Sequence, residues 1–276
     1  MKENITEIQI SQFFDTFFSN KIVLISTLLF TLISSFAYLN LAPKVYISKA
    51  TLSESSSTTP QNANPLLGLV GIEQVGASKS NYAIRKIKSL SFFKVLITSK
   101  PEILSILLDR EFVDSSLTDD HSTKLIINQA FNLYLKRLTL LSKSGFFEIS
   151  FEHKTPNGSF IVLTNILHEI NSFMLEKEIH ESDVALRFLA EKINETQVLE
   201  IRQSLSKLMQ IQLERQMTAK MKQNYVFEEL DSPAIPLSHS KPNSFIVLFF
   251  SMFGAIFFLI VITLYKIYKK SNKQQI

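Results

Sequence analysis

The sequence contains no cysteine. That removes disulfide frameworks, cysteine metal sites and thiol nucleophiles together. It fixes no compartment, because a domain of this size folds without bridges in either redox setting. Tryptophan is also missing, so a sugar cannot stack on an indole ring. Glycine and proline are sparse, six and eight in 276 residues, and neither occurs between Ser159 and Ser232. Charge is missing from two long stretches, Ile22 to Pro43 and Pro242 to Tyr265.

Those two charge-free stretches organise the chain. About twenty apolar residues suffice to carry a helix across ~30 Å of hydrocarbon. The first run is too long for the apolar part of a signal peptide, and no small-x-small cleavage site follows it, so it reads as an uncleaved anchor. The expected layout is a cytoplasmic segment over 1–20, a span over 21–43, an outer domain over 44–241, a second span over 242–265 and a basic tail over 266–276. Lys266, Lys269, Lys270 and Lys273 place that tail, and with it both termini, on the cytoplasmic side. The stretches expected inside are too short for a catalytic or signalling domain. Residues 1–20 space Ile5, Ile8, Phe13, Phe14, Phe17 and Phe18 as a helix lying on the inner membrane surface would. Thr27, Thr31 and Ser35 recur every fourth residue in the first span, and Ser251, Gly254 and Ala255 cluster in the second. Such small faces let helices approach closely in lipid, so the two spans are expected to pack there.

The formal net charge of +4 does not describe a nucleic-acid binder. The excess sits in the tail beside a membrane helix, and no basic stripe or aromatic platform occurs elsewhere.

The outer domain starts with an alternating run, Val45 to Leu52, that predicts a strand. A Ser/Thr tract up to Thr59 and an apolar, glycine-bearing loop follow. Gly71, Gly76, Lys79 and Ser80 have the composition of a phosphate loop, but Ala77 and Ser78 separate the glycine from the Lys-Ser pair, which spoils the cradle. Helices are expected from Ser80 to Thr98, from Glu102 to Leu108 after Pro101, and from about Ser122 to Lys136 after the capping Asp119 and Asp120. Leu138 to Leu141 and Phe146 to Phe151 form a hairpin about Ser144-Gly145. From Ser159 onward helix formers dominate. An unbroken helix to Lys222 would be ~95 Å long. Its apolar stripe thins at Glu176–Asp183 and again at Asn194–Gln197. That pattern implies either breaks or a helix shared between copies, with Leu186, Leu189, Ile193, Ile201, Leu205 and Leu208 as the expected oligomer face.

Nothing in the residues assembles a catalytic, cofactor-binding or metal site. The histidines at 121, 153, 168, 180 and 239 are never three or four apart, so no helix face presents two ligands. The pairs Glu176/Glu178 and Glu228/Glu229 read as solvated charge.

The segment Glu195 to Pro236, ETQVLEIRQSLSKLMQIQLERQMTAKMKQNYVFEELDSPAIP, resembles the end of the long helix, the YVF strand and the Asp-x-Pro-Ala-x-x-Pro stretch of the Wzz family. These are polysaccharide co-polymerases, the chain-length determinants of bacterial O-antigen and related glycans. Pro233, Ala234 and Pro236 fall on the proline motif, shortened here to DSPAIP, and Pro242 on the later proline before the second span. Tyr46, Ala50 and Leu52 fit the family's exit strand. The resemblance implies an α+β fold, with two transmembrane helices flanking a periplasmic domain built on a small mixed sheet and a long extended helix. It implies an inner-membrane, non-catalytic protein that forms ring-like homo-oligomers and works with a Wzy-type polymerase on lipid-linked glycan, without a cofactor. Two other readings remain open from the sequence: a capsule or exopolysaccharide export subunit paired with a separate kinase, and a membrane receptor with an outer sensor domain.

Overall fold

The structure is a computed structural model that describes residues 21–55, 76–109, 120–143, 146–222 and 224–273. The expected surface helix over 1–20 and the glycine-bearing loop before residue 76 lie outside the described residues. The chain divides into two compact units, Tyr46–Ser238 and the pair of flanking segments, Met1–Val45 with His239–Ile276.

The larger unit is a four-stranded sheet with helices on one face. Its strands are β1 (Tyr46–Glu54), β2 (Leu138–Lys143), β3 (Phe146–His153) and β4 (Phe227–Asp231), in the order β2-β3-β1-β4. Every pairing is antiparallel, which corrects the expected mixed sheet. The reason is the position of β1. It runs opposite to both neighbours, so β3 and β4, which share a direction, are kept apart by it. Strand alternation puts Ser48, Ala50 and Leu52 of β1 and Ile149, Phe151 and His153 of β3 on the buried face.

Against that face pack α2 (Gly76–Ile87), α3 (Leu90–Ser99), α4 (Glu102–Leu108), α5 (Asp120–Arg137) and the first half of α6 (Pro156–Glu195). The helix expected from Ser80 to Thr98 is two helices. Ser89 is extended and accepts the backbone N–H of Phe92 at 3.2 Å, capping α3 where a single helix would have continued. Gly76 to Ser80, read from sequence as loop, form the first turn of α2. The core is aromatic at its centre: Phe93, Phe131, Tyr134 and Phe151 have successive ring centroids 5.1–6.3 Å apart. The fully buried Tyr134 hydroxyl donates to the carbonyl of Ile87 at 3.0 Å, so its burial leaves no polar atom unsatisfied.

The long helix is broken. α6 has 40 residues, about 60 Å, and ends at Glu195, and α7 (Leu199–Met221) folds back along it. Thr196 and Val198 are both extended, which halts the helix at the second place where the apolar stripe thins. Val162, Leu163, Ile166, Leu167, Ile170 and Met174 of α6 are buried over the sheet, and the rest of α6 packs on α7.

The smaller unit contains α1 (Lys21–Leu41) and α8 (Ser244–Lys273). Both are long and apolar enough to cross a membrane, and only 6% and 11% of their most apolar windows are buried. A core helix of a soluble domain would be mostly covered. α8 runs on past Tyr265, beyond the length the hydropathy alone marks. Its N-terminus is capped by Asn243, which accepts the N–H of Phe245 at 3.0 Å.

Candidate functional site

In the smaller unit α1 and α8 are in contact. Their connecting segments are tied by an antiparallel bridge between Val45 and Lys241, with Val45 N–H donating to Lys241 at 3.0 Å and Ser240 N–H donating to Val45 at 2.8 Å. On α1, Ser35 is buried and Thr27 and Thr31 are half-buried; on α8, Ala255 is buried and Ser251 half-buried. The hydroxyls of Thr27, Thr31 and Ser35 each donate to a carbonyl one turn earlier, so the small face carries no unsatisfied donor into lipid. Gly254 stands on the open side, with nothing within 4 Å of a Cβ built on it. Leu259 and Thr263, which the sequence reading did not single out, continue the buried stripe at intervals of four.

Pro233, Pro236 and Pro242 are half-buried in a segment without regular structure between β4 and α8. The peptide bond before Pro242 is cis. Ser48 of β1 is buried, and its hydroxyl donates to the carbonyl of Ala234 at 2.9 Å, fixing the proline stretch beside the strand that leaves the first span.

The six residues expected as an oligomer face lie on the α6–α7 hairpin. Leu189 is buried, and Leu186, Ile193, Leu205 and Leu208 are half-buried where α6 and α7 pack on each other; Ile201 alone of the six is exposed. The apolar stripe is therefore used within the chain to close the helical hairpin.

The first thinning of that stripe has a partner. Glu178 is only 8% exposed, which corrects its reading as solvated charge. Its two carboxylate oxygens receive Lys79 Nζ from α2 at 2.9 Å and Arg215 Nη2 from α7 at 3.2 Å. Tyr225, on the approach to β4, hydrogen-bonds to Glu178, and its oxygen receives Lys79 Nζ. One turn along, the buried Gln216 donates to Asp183. Burial pushes the Lys79 ammonium below its ordinary value. Burial alone would raise the Glu178 carboxyl, but Lys79, Arg215 and Tyr225 together outweigh it and hold the group below the usual carboxylate range. Burial, then the neighbouring Glu178, pushes the Tyr225 phenol up. Three helices and the segment leading into β4 thus meet at one carboxylate.

Two further buried polar groups were missed. Asn171 of α6 accepts the N–H groups of Val226 and Phe227 at 3.0 and 3.1 Å and binds β4 to the core. His153 ends β3 with Nε2 donating to the carbonyl of Ile106 at 2.9 Å. The run His153-Lys-Thr-Pro-Asn-Gly158 was the available signal. Thr155 caps α6, Pro156 opens it, and Gly158 leaves room for the imidazole. Among the described residues no group of three or more His, Asp or Glu is placed to hold a metal ion.

What the fold defines is an α+β domain carried between two apolar helices of membrane-crossing length. No family model matches the sequence, and neither does any curated protein. Among solved structures, the chain is similar to a full-length bacterial polysaccharide co-polymerase, with a TM-score of 0.41 and 11% identity over 93% of this chain and 96% of that one. It is also similar to a fragment of WzzB, a polysaccharide co-polymerase from Salmonella Typhimurium, with a TM-score of 0.35 and 12% identity over 72% of this chain and 100% of that one. A third similar structure is a point mutant of the Shigella flexneri lipopolysaccharide O-antigen chain-length regulator WzzBSF, with a TM-score of 0.22 and 10% identity over 71% of this chain and 100% of that one.

Proposed function

We propose that the chain is a non-catalytic regulator of polysaccharide chain length, anchored in the bacterial inner membrane with both termini in the cytoplasm and its main domain in the periplasm. It acts as a ring-like homo-oligomer beside a Wzy-type polymerase working on lipid-linked glycan. The observation that carries this reading is the path of the chain between its two apolar helices. β1 begins directly after the first, β4 returns as its antiparallel neighbour, and Val45 and Lys241 pair where the connecting segments meet. The segment that makes the return, from Glu195 through Pro242, is the one whose residues resemble the Wzz family. A domain so tethered supplies shape at the membrane and leaves bond formation to another protein. The test is the surface glycan of a strain lacking the gene. Its modal length is expected to shift while glycan is still made. An unchanged lipopolysaccharide ladder and capsule size would remove the reading.

A further inference from the structure

We propose that Glu178 seats the helical hairpin, its contact with Lys79 and Arg215 setting the angle at which α6 and α7 stand on the sheet-and-helix base. The argument runs along α6. As far as Met174 its inward face is apolar and buried against the base. At Leu186 and Leu189 the inward face is apolar again, now against α7. Between them, at the same four-residue interval, stand Glu178 and Ser182, 8% and 3% exposed. The junction of base and hairpin is therefore the stretch where the buried positions of α6 are polar, Ile179 being only half-buried.

Apolar burial is non-directional and tolerates sliding. A carboxylate receiving two cations is not, because each charge-assisted hydrogen bond fixes a donor direction. Here the two donors belong to the two bodies being joined. Lys79 comes from α2 in the base, next to Ser80, whose hydroxyl donates to Glu54 at the end of β1 at 3.0 Å. Arg215 comes from the returning helix α7. Tyr225 adds the chain's re-entry into the sheet, with Lys79 Nζ 4.8 Å from its ring centre. Removing the knot leaves each body its own packing: the base keeps its aromatic core, and the hairpin keeps Leu186, Leu189, Ile193, Leu205 and Leu208. What it loses is the direction that relates them. A buried ion pair adds little net stability over apolar groups of similar volume, which leaves arrangement as what this one sets.

The chain has no native cysteine, so two spin labels can be placed unambiguously on the full-length protein in lipid nanodiscs, diluted with unlabelled chain. Ser206→Cys on α7 and Thr139→Cys on β2 are both at exposed positions. With Glu178→Gln the distance distribution is expected to widen. Amides at 79–83 and 213–219 are expected to exchange about tenfold faster while those of β1 and β3 do not change, the pattern of a local rather than a global opening. Lys79→Met with Glu178→Leu replaces both charges by apolar groups of similar bulk and leaves only the Arg215 guanidinium, 25% exposed and so within reach of water, without its carboxylate, so it reports even where the single variant folds poorly. It is expected to widen the distribution too. Lys192→Met, which breaks the exposed pair with Glu195, is expected to leave the distribution alone. A wild-type distribution from the double variant would show that packing sets the angle and would overturn the proposal. Equal acceleration of exchange in sheet and hairpin with Glu178→Gln would overturn it as well.

Discussion

The ring nitrogen Nδ1 of His153 accepts the backbone N–H of Thr155 at 3.1 Å. It also meets the Thr155 hydroxyl at 2.9 Å, while Nε2 faces the carbonyl of Ile106. That set of partners suits a neutral imidazole with its proton on Nε2. A second proton on Nδ1 would point at a donor.

Stability therefore depends on pH through this ring. Burial lowers the His153 pKa below its ordinary 6.5, against the pull of the Ile106 carbonyl and Asp109. As the pH falls below about 6.5 the unfolded chain takes up the proton first, so stability rises with pH through that window and is lost on acidification. Asp109, held low first of all by its hydrogen bond from Lys154, loses its own contribution only at more acidic pH. The denaturation midpoint of the wild type is expected to drop between pH 7 and pH 5 more than that of His153→Gln. Parallel midpoints in the two proteins would show that the ring does not titrate on unfolding.

Gly158 gives a prediction of reversed sign. Replacing a helical glycine by alanine ordinarily stabilises by about 1 kcal/mol. Here the new Cβ would stand 2.7 Å from Cε1 of His153 and 2.7 Å from Oγ1 of Thr155. Overpacking of that kind costs about 1–3 kcal/mol. Gly158→Ala is expected to destabilise, and in a His153→Ala background the part of the penalty that comes from the ring is expected to vanish, leaving the contact with Thr155 Oγ1. Additive effects in the double variant would place the clash elsewhere.

Much of this fold is legible from local signals. Charge-free runs mark α1 and α8, alternation marks β1, and Pro156 with Gly158 marks the start of α6. Pairing over distance is not legible in the same way. Glu178 sits in a gap of the apolar stripe and by itself reads as solvent-facing. What makes it buried is Arg215 on a helix that returns only after the extended residues near Thr196. The usable signal was the coincidence of Glu178 in a gap of the α6 stripe with Arg215 in α7, at nearly matching distances from that turn. The leucine stripe carries the same ambiguity. A stripe of leucines records that it will be covered, and the sequence does not say whether by the same chain or another.

Asn171 is the buried clasp of the returning strand. It accepts two backbone N–H groups and its own amide donates to the carbonyl of Phe227 at 3.4 Å. Asn171→Ala strands two donors in the core, for an expected loss of about 2–3 kcal/mol. Hydrogen exchange should locate the damage in β4 before β2 and β3. Loss of protection spread evenly over all four strands would show that β4 is held by the sheet alone.

The proline segment is expected to matter for output more than for folding. Each proline fixes φ and lacks an N–H donor, and together they hold the chain extended on its way to α8. Pro233→Ala, Pro236→Ala and Pro242→Ala combined should alter the glycan length distribution while leaving the amount of protein in the membrane close to wild type. Wild-type glycan from the triple variant would reduce the segment to a tether.

The contact of the two apolar helices can be tested by register. Counting ten residues back from Val45 and ten forward from Lys241, the bridged pair, brings Ser35 level with Ser251; fourteen brings Thr31 level with Ala255. A disulfide forms only where the Cα atoms come within about 7 Å. Cysteine pairs at 35/251 and 31/255 should therefore crosslink on mild oxidation in membranes, whereas 31/254 should not, because Gly254 faces away from the contact. The pair at 31/251 lies one helical turn, about 5.4 Å, out of register and should react more slowly. Since the chain has no other cysteine, crosslinks within one chain and between two are separated by mass on a denaturing gel. If 35/251 gives only the product of two chains, the small faces mediate contact between copies, and the packing of α1 on α8 within one chain would have to be given up.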